Sequence, residues 1–301
     1  MSPPSDAVPR SPGVPRPQPI DPDAALAEWR TRWKLAPDGA AFLTPSSVLQ
    51  PVRQAARAAF LKRALVEEEA VGTLVLHWWS GDGAAQVLEL GAGGEAVLLE
   101  RAEGPRSLDA LARTGPGGDD EATRILCRAG MRLHGSGTGA RPPGLHPLDE
   151  WFRELFEHAA DRPDDHGGLY PAAATEARAL LAHPADDVVL HGDLHHGNVL
   201  DFGERGWLAI DPKPLHGDPA FDVLNILCNP DAEIALRPGR LERTARVIAS
   251  ESGLDERTLL RWALAWAGLS AAWSERSGDA APIALGVGHR CRTLLGILPL
   301  T

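Results

Sequence analysis

A chain of 301 residues, 44% of them hydrophobic, is long enough to bury one large core or two smaller ones. Its 41 Asp and Glu outnumber 30 Lys and Arg, a formal charge of -11, so the net field repels a nucleic-acid backbone or an anionic membrane and attracts a cationic partner. Three cysteines, Cys127, Cys228 and Cys291, stand far apart with no CxxC spacing, which excludes a disulfide framework or a zinc knuckle and favours a reducing cytoplasm.

The first residues lack the apolar stretch of a signal peptide, and no window of about 18 residues is apolar enough to span a membrane. Proline recurs at nearly every second or third place over 1–20, which blocks helix and predicts a disordered tail. In DPDAALAEWRTRW, Asp21 or Asp23 is placed to cap a helix that carries Leu26, Trp29 and Trp33 at helical spacing. Strand character follows at 46–52, 58–65, 84–90 and 95–102; between the second and third, EEEAVGTLVLHWW has the spacing of one helix packed on a sheet. Beyond residue 103 the pattern is helical over 120–134, 147–160, 176–183, 239–253 and 258–273. One β island interrupts it: VVLH, NVLDF and WLAID, the last two separated by GERG and so predicted to form a hairpin over 198–211. The expected fold class is α+β in two lobes, a small sheet lobe with one helix over 21–102 and a larger, mainly helical lobe over 103–301.

The stretch VVLHGDLHHGNVL, residues 188–200, sets three histidines, an aspartate and an asparagine between two apolar runs. A metal hydrolase would ligate through His191, Asp193, His195 and His196, but His196 breaks the alternation of the other three, and no second His or Cys pair supplies an opposite side. A purely structural loop would use its histidines to cap a turn, which leaves the asparagine without a reason. Phosphoryl transfer explains more of the residues. His191, Asp193 and Asn198 stand at the spacing of HRDxxxxN, in which the aspartate faces the acceptor hydroxyl while the asparagine holds magnesium. Asp211 ends the second hairpin strand, so strand pairing brings Asn198 and Asp211 together as two oxygen ligands, about what magnesium beside a triphosphate takes from protein.

HGDLHHGNVL followed by LAIDPKPLHGDPAFDV resembles the aminoglycoside phosphotransferase family, kinases with a protein-kinase-like fold, and most of all its streptomycin 6-kinase and hydroxyurea kinase branch. WKLAPDG, Pro51-Val52, FLK (60–62), WWSGDGAAQVL and VLLERAEG are similar, in order, to that branch's opening strand, second strand, lysine strand, helix-to-strand turn and hinge. The resemblance implies ATP and Mg2+ as cofactors and O-phosphorylation of a small, hydroxylated, cationic antibiotic of streptomycin or hydroxyurea type, with resistance as the role. A regulatory module that holds ATP without transferring it is the alternative.

The same resemblance implies that Lys62 contacts the α and β phosphates, steadied by a helix carboxylate; of Glu67, Glu68 and Glu69, Glu68 satisfies counts made from both sides. It implies adenine recognition by the Glu100 carbonyl and the Ala102 amide, a base in Asp193, metal ligands in Asn198 and Asp211, and structural support from His191 and Asp222. A GxGxxG phosphate loop is absent: GAAFLTPSS (39–47) leaves Thr44, Ser46 or Ser47 to supply donors, while Pro45 removes an amide. Asp231, Glu233, Glu275 and Asp279 in the C-terminal helices are acids that could line the acceptor pocket, and solvated helix faces account for them equally.

Overall fold

The structure is a computed structural model that describes residues 20–297; the expectation for the proline-rich tail falls, but for Ile20, outside the described residues. Asp21 caps helix α1 (Pro22–Arg32) by accepting from the Asp23 amide at 3.0 Å, and Pro22 occupies the first helical position, where a missing N–H costs nothing. Strands β1 (Leu35–Pro37), β2 (Phe42–Leu43), β3 (Ser47–Gln54) and β4 (Arg57–Ala64), helix α2 (Glu67–Trp79), and strands β5 (Val87–Leu90) and β6 (Ala96–Glu100) complete the first lobe. Its six strands form one antiparallel sheet in the order β1-β3-β4-β6-β5, with β2 beside β3. Register pairs Lys62 of β4 with Leu49 on one side and Val97 on the other. Alternation along β4 gives Ala59 and Leu61 to a small core with Leu26, Trp29 and Val48, so Phe60 and Lys62 face the opposite side of the sheet.

The second lobe runs α3 (Leu108–Ala112), α4 (Pro116–His134), β7 (His146–Pro147), α5 (Leu148–Trp151), α6 (Arg153–Asp161), α7 (Leu169–Leu181), β8 (Val188–Leu190), β9 (Val199–Asp201), β10 (Trp207–Ala209), β11 (Leu215–Gly217), α8 (Ala232–Ala235), α9 (Arg240–Ser252), α10 (Glu256–Arg276) and α11 (Pro282–Leu295). The helix expected over 147–160 is two helices that break at Phe152. The β island is two sheets: β9 and β10 form the expected hairpin, whereas β8 pairs with β11, which also pairs with β7. The main core joins both lobes, since Val75, Leu76 and Trp79 of α2 and Val97 and Leu99 of β6 cluster with Phe152, Tyr170 and Trp262. No described helix is long and apolar enough to cross a membrane.

Two contacts fix how the lobes meet. The Gly104 amide donates to the Asp201 carbonyl at 2.9 Å, and a Cβ on Gly104 would fall 2.1 Å from the Asp201 carboxyl, so only glycine admits this approach. Next to it Arg106 grips Asp201 through Nε at 2.8 Å and Nη2 at 2.7 Å while lying 5.0 Å over the Trp207 ring. The guanidinium and nearby amides hold the Asp201 carboxyl far below the usual carboxylate range. The segment that links the lobes is thereby clamped to the β9–β10 hairpin.

Candidate active site

The loop between β8 and β9 is held from beneath by Asp222. This fully buried carboxylate accepts from the His191 amide at 2.9 Å, the Gly192 amide at 2.7 Å and His134 Nε2 at 2.8 Å. Burial works against its ionisation, but His134 outweighs that and holds the carboxyl below its ordinary value. His191, also buried, donates from Nε2 to the Ile210 carbonyl at 2.8 Å, which leaves Nδ1 bare to accept from the Asp193 amide at 3.2 Å. Burial depresses its pKa, so the ring stays neutral and braces the backbone.

That bracing presents Asp193. Burial raises its carboxyl above the ordinary range despite His195, His191 and Lys213 nearby. Asn198 Nδ2 donates to the Asp193 carbonyl at 2.9 Å and to Oδ2 at 3.3 Å. With its nitrogen committed to Asp193, the amide oxygen of Asn198 faces the other way, free to meet a cation. His195 accepts from the Gly197 amide on Nδ1 at 3.0 Å, and its Nε2 lies 3.8 Å from Asp193 Oδ2. His196 is buried with neither ring nitrogen paired among the described residues. His191 and His195 thus serve the loop backbone, and among the described residues no group of three or more His, Cys, Asp or Glu is placed to hold a metal.

Strand pairing sets the second half of the site. The Ile210 amide donates to the Asn198 carbonyl at 2.9 Å, and Asp211 follows with φ 59, the left-handed turn that carries its carboxylate off the strand. Lys62 pairs with Asp211 from the sheet side and with Glu69 of α2. The expected partner Glu68 is therefore corrected to Glu69: consecutive helix residues point about 100° apart, and the face that meets β4 is that of Glu69, 6% exposed, while Glu68 reaches Lys213 at 2.8 Å. Burial opposes ionisation of Glu69, yet Lys62 and the Ser46 hydroxyl hold its carboxyl below its ordinary value. Lys213 also lies 3.8 Å from Glu69, so Asp211, Lys62, Glu69, Lys213 and Glu68 form one chain of alternating charge. Helix α2 is seated on this chain at Gly72, where a Cβ would fall 2.4 Å from the Pro212 carbonyl.

A cavity of about 380 Å³ opens beside Lys62 and Asp211, lined from the sheet side by Phe42, Leu49, Phe60 and Leu99 and from the hairpin side by Leu200 and Ile210. Glu100 and Ala102 line it as well. The Glu100 carboxylate is spent on the Gln86 amide at 2.6 Å and on Arg205, so its contribution there is backbone. The 44–47 turn lines the same cavity through Thr44, Ser46 and Ser47. Thr44 closes it by donating from its amide to the Ser47 carbonyl at 2.9 Å and accepting the Ser47 amide on Oγ1 at 3.0 Å. The hydroxyls of Ser46 and Ser47 donate to Glu69 at 2.9 and 3.1 Å.

Other residues went unread in the sequence. Asn225 donates to Asp193 Oδ1 at 2.7 Å, yet DVLNIL reads only as an apolar run with one interruption. A second cavity, of about 670 Å³, is bordered by Glu68 and Lys213 together with Glu150, Glu154, Glu157, Trp151 and Trp273. The acids expected around an acceptor lie elsewhere: Asp231 caps α8 and pairs with Arg113, Glu233 pairs with Arg237, Glu275 is ringed by His158, His166 and Arg162, and Asp279 is exposed beyond α10.

The family model described as aminoglycoside/hydroxyurea antibiotic resistance kinase matches residues 32–278. The chain is 48% identical over 273 residues to the streptomycin 3''-kinase of Klebsiella pneumoniae, covering 88% of this chain and 99% of that one. It is 32% identical over 263 residues to the hydroxyurea phosphotransferase of Kitasatospora aureofaciens, covering 85% and 74%. Among solved structures, an aminoglycoside phosphotransferase APH(4)-Ia bound to ADP and hygromycin B superposes with a TM-score of 0.60 at 16% identity, covering 91% of this chain and 98% of that one. A choline/ethanolamine kinase family protein from Mesorhizobium loti does so with 0.60 at 18%, covering 90% and 95%. At such identities the structures speak for the two-lobed kinase-like fold, while the family model and the close relatives reach further: the chain belongs to the aminoglycoside/hydroxyurea antibiotic resistance kinase family.

Proposed function

We propose that this protein transfers the γ-phosphoryl group of ATP to a hydroxyl of a streptomycin-like aminoglycoside, and that the acceptor is the 3''-hydroxyl. One observation carries the reading: Lys62 and Asp211 meet at the edge of an apolar cavity, and Asn198, paired to the same hairpin, holds Asp193. The 48% relative, matched over 99% of its length, supports the choice of acceptor position. Phe60, Leu99 and Ile210 suit a flat base, with Glu100 and Ala102 backbone groups at its edge. Lys62 meets the phosphates, and a compact ammonium already flanked by two carboxylates is exchanged onto them without moving far. Asn198 and Asp211 are the residues that would hold magnesium: two oxygen donors suit a hard divalent cation. Magnesium, when bound, supplies neutralisation of charge on the phosphates. Asp193 orients the acceptor hydroxyl in line and takes its proton as the O–P bond forms.

The border of the second cavity holds four carboxylates, from Glu68, Glu150, Glu154 and Glu157, against three cations, Arg153, Lys213 and Arg276, with Glu68 paired to Lys213 and Glu154 and Glu157 to Arg276; a cationic acceptor would exchange with those partners and meet two indoles, Trp151 and Trp273, whose ring centroids lie 5.4 Å apart. Three free, buried cysteines fit the cytosol, where such a kinase meets ATP. The test is magnesium-dependent ADP release with streptomycin, with hydroxyurea and with other small alcohols, beside an Asp193→Ala control. Mass spectrometry then detects the phosphorylated product and NMR locates the phosphate. ATP binding without acceptor-dependent release across the panel would instead mark a regulatory module.

A further inference from the structure

Asp193 is held from two directions, and only one belongs to its own loop. Asn198 reaches Oδ2 at 3.3 Å, a long contact, while Oδ1 accepts a 2.7 Å bond from Nδ2 of Asn225, 32 residues further along the chain. Which end of the Asn225 amide faces Asp193 is fixed independently. Its Oδ1 accepts from Asn229 Nδ2 at 2.9 Å, and the same nitrogen donates to the Asn225 carbonyl at 2.9 Å, so the amide NH2 must turn toward the carboxylate. Asn229 is anchored in turn, because its carbonyl accepts from Arg240 Nη2 at 2.8 Å, and Arg240, wholly buried, is gripped by Asp119 of α4 through Nε at 3.0 Å and Nη2 at 3.0 Å.

We propose that Asn225 is a positioning residue for phosphoryl transfer: it pins Oδ1 of Asp193 so that Oδ2 is the oxygen offered to the acceptor, and the Asn229–Arg240–Asp119 chain keeps Asn225 in place. This rests on the kinase reading above. A carboxylate has two equivalent oxygens and turns easily about its terminal bond; a short, charge-assisted bond to one of them selects the orientation of the other. Asn225 lines neither cavity, so its removal leaves nucleotide and acceptor binding in place and acts on the chemical step alone.

Asn225→Ala and Asn225→Asp should each lower kcat by ~10–100-fold, the cost of a misplaced reacting group, with KM for ATP and for the acceptor within ~2-fold of the parent. In an Asp193→Ala background, Asn225→Ala should change kcat no further, because residues that act as one unit lose their effect together. A packing role would instead multiply its effect into that background. Should the Asn225 variants fail to fold, Asn229→Asp, which frees the Asn225 amide to turn over, should give a smaller fall in kcat with the same unchanged KM values. Unchanged kcat, multiplicative losses or a rise confined to KM overturns the inference while the kinase reading stands. Absence of acceptor-dependent ADP release from the parent enzyme overturns both.

Discussion

Replacing Glu69 with glutamine probes the chain of charges at its centre. The side chain is 6% exposed and serves four partners: the Ser46 and Ser47 hydroxyls, Lys62, and Lys213 at 3.8 Å. Glutamine keeps the volume but offers one acceptor oxygen where the carboxylate offers two, so one serine hydroxyl meets an NH2 and Lys62 loses its helix counter-charge. Breaking one side of a buried pair costs about 3–5 kcal/mol. Asp211 remains on Lys62 and offsets part of this, leaving ~2–3 kcal/mol, a drop of roughly 3–5 °C in Tm for a chain of this size. Activity should suffer more. Held only by Asp211, Lys62 turns toward the metal-side carboxylate and away from the phosphates, and kcat/KM for ATP should fall ~10²-fold. Glu68→Gln is the matched control: Glu68 is 38% exposed with one partner, Lys213 at 2.8 Å, and an exposed pair contributes about 1 kcal/mol at most. Its Tm and kcat/KM should stay near the parent's. Thermal melts and ADP release at saturating acceptor with varied ATP compare the two; equal losses, or a larger loss in Glu68→Gln, would refute the assignment of Glu69 as the partner of Lys62.

Three other perturbations follow from the same geometry. Gly72→Ala ordinarily strengthens a helix by about 1 kcal/mol, but here the new Cβ lands 2.4 Å from the Pro212 carbonyl, so melts should show a net loss of ~1–3 kcal/mol and kcat should fall as α2 is pushed off the Asp211 segment. Arg240→Met leaves Asp119 buried without its Arg240 pair and strips donors from the Leu227 and Asn229 carbonyls, with an expected loss of ~3–5 kcal/mol in urea titration. The Asp222 carboxyl is held below its ordinary value in the folded chain, so as pH falls the unfolded chain takes the proton first. Its stabilisation is complete above the ordinary carboxylate range and is lost as pH drops through the lower folded value. Asp222→Asn should flatten the stability profile on the acid side of about pH 4, read from urea midpoints between pH 5 and 3.

What was legible in the sequence is what repeats or what spacing alone constrains. Helix α2 shows a full helical period over 13 residues, and the hairpin is announced by GERG, because turn chemistry and pairing are local. Asp193 and Asn198 could be read because five residues of loop determine how the two side chains face each other. Choosing among Glu67, Glu68 and Glu69 needed the angle between helix and strand, which no local count contains. Asn225 was hidden for a different reason: it opens the 3-10 turn Asn225–Cys228, which has too few residues to show a period, and its partner is 32 residues away. Strands β7 and β11, of two and three residues, exist only because neighbouring elements bring them together, and α11 carries Gly286 and Gly288, which lower its intrinsic helix signal. Acidic composition carries no information on place: Asp231, Glu233 and Glu275 are consumed by caps and ion pairs.

The short turn in place of a glycine-rich loop has its own logic. Pro45 sits at the corner of the Thr44–Ser47 turn, where a fixed φ is an advantage and an N–H is not required. The hydroxyls of Ser46 and Ser47 after it reach Glu69, so the turn, the β3 edge and helix α2 are joined through one buried carboxylate. Lys62 pairs with that same carboxylate. Its position therefore depends on the turn being closed, and on the proposed function a displacement of residues 44–47 would reach the phosphates through Glu69 and Lys62. On the proposed function, charge on a bound nucleotide would fall to Lys62 and to a cation held by Asn198 and Asp211, so transfer would rest on the seating of one ammonium where other kinases spread the task over several backbone amides.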